Sequence, residues 1–452
     1  MSKLKYESPI IKQINAGITS KFGELSTLKP TTHIANIPVK SLIEEYGSPL
    51  FVINEQTIRN TYQDAYHAFS TRYPNVQFAW SYKTNYLDAV CKVFHSEGLW
   101  AEVVSGFEYN KAIKNGVPGD KIIFNGPDKS DEDLTMAVQN NSPIHIDHFD
   151  ELYSLIAVAD KLDKRAKVAI RVNMDTDIKP IWDRFGFNYE NRQAWEAIKK
   201  IMSSKNLDLI GLHTHIGTFI LEPNAYYIAA SKLADLAINV KNKFKHDIQY
   251  IDMGGGFASK NTLKGSYLSG TDLAPTFSDY AENITQALLN AGFSTEDLPL
   301  LILETGRALI DDAGSLLGTV LANKRLADGR RSIIMDFGVN ILFTSFWYNH
   351  IISPAQECSL YTEDTVMYGP LCMNIDVIRE SINLPPLNKG DHVVVHRIGA
   401  YNMTQWMQFI TLRPKVVMID TDGKPHIIRE NENDEYVSQL DITPEYLKEI
   451  DL

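Results

Sequence analysis

The sequence predicts an α/β protein, an eight-stranded parallel (β/α)8 barrel joined to a C-terminal β-domain. Three observations predict it. Short apolar, β-branched runs alternate with amphipathic stretches. Each run ends in a polar, charged or glycine group. The chain has 452 residues, whereas such a barrel needs about 250, so a further domain fits.

The runs are Val76–Lys83, Leu99–Ser105, Lys121–Asn125, Pro143–Asp147, Lys167–Asn173, Leu209–His215, Gln249–Met253 and Leu300–Glu304. Helical patterns lie between most of them, such as Asp131–Asn140, Phe149–Leu162, Ala194–Ser203, Ala225–Phe244 and Tyr280–Ala291. Alternating strands and helices predict a parallel sheet, and eight such units predict closure. The run ends carry Lys83, Ser105, Asn125, Asp147, Arg171 with Asn173, His213 with His215, Gly254–Gly256, and Glu304 with Arg307. Barrel active sites sit at the C-terminal ends of the strands. The barrel is expected over 55–310. The β-domain is expected to take in 1–54 and 311–452. Its strand-like runs are Ser332–Met335, Thr365–Tyr368, His392–Arg397, Lys415–Asp420 and His426–Arg429, with turn signals at 388–391 and 422–423. Pro49–Ile53 reads as a strand that pairs into the same domain.

Composition narrows the function classes. Hydrophobic residues make up 44% and charged residues 22%, as in ordinary globular chains. The net charge is -12 and no basic run stands out, so neither nucleic acid nor an anionic membrane is an expected partner. No apolar run reaches the about 18 residues of a membrane span. Three cysteines, Cys91, Cys358 and Cys372, give no disulfide framework and point to a reducing compartment. The opening MSKLKYESPIIKQ lacks the apolar core of a secretory signal. A cytoplasmic enzyme is expected.

In the first run, Val76, Phe78, Trp80 and Tyr82 share one face, and Ala79, Ser81 and Lys83 share the other, which points into the barrel. An inward lysine is costly to desolvate without a partner or a covalent role. The alternative is that the strand stops at Tyr82 and Lys83 is solvated. Gly254-Gly255-Gly256 after the seventh run is either a tight turn or a backbone cradle for an anion. Glu304 ends an apolar run and needs a partner, either a protonated pyridine nitrogen or Arg307. His213 and His215 share a strand face, yet no cysteine or carboxylate lies at helpful spacing, so no metal is expected.

Eight segments stand in a fixed order: Tyr82-Lys83-Thr84-Asn85, Ser105-Gly106-Phe107-Glu108, Asn125-Gly126-Pro127-Asp128-Lys129-Ser130, His213-Thr214-His215-Ile216-Gly217-Thr218, Gly254-Gly255-Gly256, Glu304-Thr305-Gly306-Arg307, Gly369-Pro370-Leu371-Cys372 and Gly399-Ala400-Tyr401. In that order they resemble the diaminopimelate/ornithine/arginine decarboxylases, group IV pyridoxal 5'-phosphate enzymes of the alanine-racemase-like fold. The resemblance spans about Pro49 to Pro414. It implies that Lys83 is the Schiff-base lysine, Glu304 the pyridinium partner and His215 the histidine stacked on the ring. Thr218 stands where a phosphate-contacting serine is usual, and Gly254, Gly255 and Gly256 form the phosphate loop. Gly306, Arg307 and Tyr401 fall at the cofactor, the last two also near the substrate. Cys372 resembles the acid that protonates the α-carbon from a second subunit, so a homodimer with shared sites is implied.

The departures concern the substrate. Diaminopimelate decarboxylases usually carry an Arg-Pro pair ahead of a Leu-Tyr after the barrel. Here Thr344 takes the arginine's place, and the segment ends Trp347-Tyr348. Met373 replaces the usual glutamate after the cysteine, while Tyr348 and Asp376 are kept. These positions imply an amino acid or amino-acid conjugate, free or carrier-bound, that is larger or less charged at its far end than meso-diaminopimelate. A racemase on the same fold usually sets an arginine against the pyridine nitrogen, so Glu304 argues against that alternative. A non-catalytic homologue should have lost Lys83, the glycine loop or Cys372.

Overall fold

The computed structural model describes residues 29–448, apart from 179, 295 and 360. The N-terminal stretch read for a signal lies outside the described residues. Eight parallel strands form the barrel: Val76–Ser81, Trp100–Val103, Ile122–Phe124, Ile144–Ile146, Ala166–Asn173, Leu207–His213, Tyr250–Asp252 and Leu300–Leu303. The eighth closes onto the first, with Leu301 opposite Val76 and Leu303 opposite Phe78. All but the fifth stop one or two residues before the polar end read from the sequence. Those polar residues leave the ladder and turn into the loops above it.

Side-chain alternation holds around the barrel. Ala79, Ile123, Ala169, Ile210, Tyr250 and Ile302 form a buried interior cluster. Phe78, Trp80, Ile122 and Phe124 face outward into the main core. Trp80 stacks on Phe94 with ring centroids 3.8 Å apart. Helix starts are set by short polar residues. Ser130 and Asp133 close a capping box ahead of Asp131–Gln139, and Thr276 and Asp279 another ahead of Phe277–Asn290.

The second sheet runs, in spatial order, Val377–Leu384, Glu363–Tyr368, Arg331–Met335, Gly314–Arg325, Leu50–Asn54, Val416–Ile419 and Pro425–Arg429. The expected pairing of the N-terminal run is present. Leu50–Asn54 lies antiparallel to Gly314–Arg325 and parallel to Val416–Ile419. Helix Val39–Tyr46 covers it, burying Val39 and Leu42 against Val52, Leu317 and Val417. The reading of the sequence missed Gly314–Arg325 and Val377–Leu384. Gly318 weakens the first as a strand pattern, and the ring of Phe337 occupies the place where a side chain there would go.

A buried cation ties the third strand to the fourth. Lys129 Nζ donates to Gly126 O (2.6 Å), His145 O (2.9 Å) and Glu151 Oε1 (2.7 Å). All three ammonium protons are used. Lys129→Met should therefore strand the Glu151 charge and destabilise the fold by about 3–5 kcal/mol. Denaturant unfolding followed by circular dichroism measures this, and Lys129→Met with Glu151→Gln should recover part of the loss.

Candidate active site

A cavity of about 810 Å³ opens at the C-terminal ends of the barrel strands. Ser81, Lys83, Glu102, Asn125, Arg171, His213, His215, Thr218, Gly255, Gly256, Glu304, Gly306 and Arg307 line it from the barrel, and Trp347, Tyr348 and Tyr401 from the segments that follow. Lys83 stands on a single 3-10 turn, Tyr82–Thr84, one step beyond the strand. The alternation that aimed it inward persists through the turn, and its Nζ reaches Glu102 Oε2 at 2.5 Å.

The floor is a chain of polar groups. Ser81 Oγ also donates to Glu102 Oε2, at 2.6 Å. Asn125 Nδ2 donates to Glu102 Oε1 at 3.0 Å and to Glu304 Oε1 at 2.6 Å, so one amide group joins two buried carboxylates. Burial alone would lower the Lys83 amine, but Glu102, Glu304 and Tyr401 outweigh it and hold the pKa above the usual lysine value. His213 Nε2 lies 3.4 Å from Glu304 Oε2. Burial, reinforced by Arg171, pushes His213 well down, so a neutral ring meets that carboxylate. Burial and the adjoining Glu304 push Asp252 well up. The alternative partner for Glu304, Arg307, is not used; it lies in a separate cluster.

That cluster surrounds the glycine loop. Gly254 and Gly256 have φ of +65° and +95°. A Cβ on Gly255 would stand 2.6 Å from Glu304 O, and one on Gly256 would run into Gly217 O. Gly255 N–H donates to His215 Nδ1 at 3.1 Å, and burial, then Arg171, keeps that imidazole neutral. Arg307 donates to Tyr348 Oη and, at 3.3 Å, to Thr218 Oγ1. Its guanidinium carbon sits 4.6 Å from the ring centroid of Tyr401. It has no carboxylate ion pair among the described residues.

The β-domain holds the lysine turn from outside. Tyr401 N–H donates to Thr84 O (2.9 Å), Thr404 Oγ1 to Lys83 O (2.9 Å) and Asn85 Nδ2 to Gly399 O (3.1 Å). Asp311, buried and raised to about 6 by that burial, accepts Ala400 N–H at 3.1 Å.

Five residues expected at the site stand outside this chain's cavity, the buried Gly254 among them. Thr344 Oγ1 is turned into the interior, 2.8 Å from His350 Nε2 and 2.9 Å from Asn402 Oδ1, so it does not face the position the substrate reading gave it. Met373 packs against the core. Asp376 accepts the Val339 and Leu371 N–H groups, each at 2.8 Å, which makes it a latch for its own loop. Cys372 is exposed. Conversely, Glu102 was missed, because a glutamate inside Trp100–Val103 reads as an ordinary strand residue. The bridging role of Asn125 needs three strands together. His145, from the fourth strand, meets His213 and Glu304 with ligand-type atoms within 4.8 Å of one another, a set that spacing along the sixth strand could not reveal.

Comparison with known proteins agrees with this geometry. Residues 57–311 match the family model for the pyridoxal-dependent decarboxylases, pyridoxal binding domain. A diaminopimelate decarboxylase of Aquifex aeolicus is 28% identical over 96% of this chain and 100% of its own. One from Methanocaldococcus jannaschii is 29% identical over 90% of this chain and 94% of its own. A crystal structure of a diaminopimelate decarboxylase from M. jannaschii superposes with a TM-score of 0.84 at 27% identity, covering 93% of this chain and 99% of that one.

The residues present fit pyridoxal phosphate. Gly255 and Gly256 line the cavity without side chains, beside Thr218 and Arg307, which leaves room for a phosphate. Asn125 Oδ1 and both ring nitrogens of His213 are buried with no hydrogen-bond partner among the described residues. The Lys83 amine and the Glu304 carboxylate face the same space. Gly256→Ala adds a clash at a positive φ, so pyridoxal phosphate affinity should fall about 10–100-fold on the scale of such strain. Spectrophotometric titration measures it, with circular dichroism as the folding control. The chain belongs to the pyridoxal-dependent decarboxylases and is a pyridoxal-phosphate carboxy-lyase of amino-acid metabolism.

Proposed function

We propose that this enzyme removes the α-carboxylate of an amino acid or amino-acid conjugate, free or carrier-bound, other than meso-diaminopimelate. One observation carries the reading. The carboxylates lining the cavity are Glu102 and Glu304, and Lys83 and Asn125 already engage both. A distal ammonium would find no carboxylate of this chain, and a distal carboxylate would not find the arginine that Thr344 replaces. The relatives named for diaminopimelate share the scaffold; this chain differs at the positions the resemblance assigns to that substrate's far end.

Bound pyridoxal phosphate supplies an electron sink for the pair left on the α-carbon when CO2 departs. The chain's residues do the rest. Lys83 is the attachment lysine, and Glu102, 2.5 Å away, is placed to take a proton from its Nζ. Glu304 presents the negative charge that keeps a ring nitrogen protonated. The neutral ring of His215 borders the cavity without adding charge. Thr218, Gly254, Gly255, Gly256, Gly306 and Arg307 bind the phosphate, and Tyr348 and Tyr401 orient Arg307 and the substrate. The barrel is taken as 55–310, with the flanking segments forming the β-domain.

Cys372 returns the proton to the α-carbon from a partner subunit, in a homodimer. Its exposure, and that of Ile375 beside it, suit a loop that inserts into a neighbour. Met373 and Asp376 act from that same loop, the first as an apolar wall and the second as its latch. A reducing, cytoplasmic setting keeps the thiol free. Mixed Lys83→Ala and Cys372→Ala subunits should recover part of the activity that each lacks alone, because one heterodimer site is whole. Activity after verified subunit exchange reads this out, and no recovery would place the cysteine in its own chain or outside the reaction.

A steady-state assay tests the substrate reading. Two unpaired distal charges should hold kcat/KM for meso-diaminopimelate at least about 100-fold below that of the matched substrate. A value near or above about 10⁴ M⁻¹s⁻¹ would return the enzyme to that substrate.

A further inference from the structure

The charges of the cavity lie at two levels. Near the floor and the glycine loop each cation has its partner. Lys83 meets Glu102 at 2.5 Å, Arg171 lies 3.8 Å from Asp147, and Arg307 is held by Tyr348 and Thr218 beside the phosphate cradle. A fourth cation, Lys264, lines the same cavity and is exposed. Among the described residues no carboxylate pairs with it.

Lys264 is not on a free-standing loop. Leu263 makes an antiparallel bridge with Tyr348, Lys264 N–H donates to Trp347 O at 2.8 Å, and Asn349 N–H donates to Thr262 O at 2.8 Å. The backbone of Lys264 is thereby fixed to the segment that supplies Phe346, Trp347 and Tyr348 to the cavity wall. Phe346, Trp347 and Tyr348 give the wall beside Lys264 an aromatic face. The cavity lining carries four cations against two carboxylates, in a chain whose net charge is -12. The positive excess is therefore local to this site.

We propose that the far end of the substrate carries a carboxylate and no ammonium, and that Lys264 receives it. The substrate class is an α-amino acid, or an amino acid acylated on its side chain, that ends in an anionic group. This rests on the reading that the substrate is not a distal zwitterion, and it adds the sign of the charge. Phosphate recognition has its own groups in the glycine loop, Thr218 and Arg307, which leaves Lys264 for the substrate. The aromatic wall beside it would hold the apolar linker of such a conjugate.

The test uses holoenzyme and two compounds that differ only in charge at the far end, Nε-succinyl-L-lysine and its neutral isostere Nε-succinamoyl-L-lysine. CO2 release gives KM and kcat, and calorimetry gives the dissociation constants whether or not a compound turns over. The succinyl compound should be favoured about tenfold or more, in KM and in Kd, as suits one charge-assisted contact. Lys264→Met should bring the two compounds to equal affinity, and Lys264→Glu should reverse their order. Equal affinities in the parent enzyme, or no binding of either, overturn the proposal. So does a loss of pyridoxal phosphate content in Lys264→Met, which would assign the lysine to the phosphate. Efficient turnover of meso-diaminopimelate in a parallel assay would instead overturn the reading beneath it, whatever the two amides show.

Discussion

One side-chain amide sets the register of the chemistry in this barrel. Asn125 spans Glu102 on the second strand and Glu304 after the eighth, with 3.0 Å and 2.6 Å contacts. Two buried carboxylates so close together would ordinarily repel or share a proton. Here each has a donor of its own, Lys83 for Glu102 and Asn125 for Glu304, while burial and Glu304 push the Asp252 carboxyl up. The result separates two tasks along one line. At one end the carboxylates hold the proton on the Lys83 amine, and at the other the Glu304 carboxylate is fixed in place by Asn125. Every other feature of the site keeps these groups in place or fills the space above them.

The supports come from different depths of the fold. Lys129 binds the loop after the third strand from below, through three carbonyl or carboxylate oxygens. Residues 399–404 grip the Lys83 turn from the side. The glycine loop works by the absence of side chains, since Gly255 leaves no room between itself and the Glu304 backbone. Arg307 is braced by hydroxyls and aromatic faces, with no counter-charge of its own, which suits an arginine whose anion is brought by a ligand.

How much could be read from the chain alone follows from how local each feature is. Lys83, Gly254–Gly256 and Glu304 each close an apolar run, so their positions could be read strand by strand. Strand ends were overestimated by a residue or two because the polar residue that marks the end already belongs to the loop. Glu102 left no trace, since Trp-Ala-Glu-Val is also a plain half-buried strand. Thr344 was placed by its neighbours in sequence, but the rotamer that sends its hydroxyl to His350 and Asn402 depends on a contact 58 residues away. The long strand Gly314–Arg325 was hidden because its Gly318 makes room for Phe337, a tertiary need that no local pattern expresses.

The grip of residues 399–404 on the lysine turn has an evolutionary consequence. Barrel and β-domain are not modules that can be traded freely, because Lys83 takes part of its aim from a segment more than 300 positions downstream. A hybrid that paired this barrel with a distant relative's C-terminal half would re-aim the amine along with whatever else it changed. Side chains around Lys264 and on the exposed loop at Cys372 lie outside the clamp, so they can be replaced without re-aiming the amine.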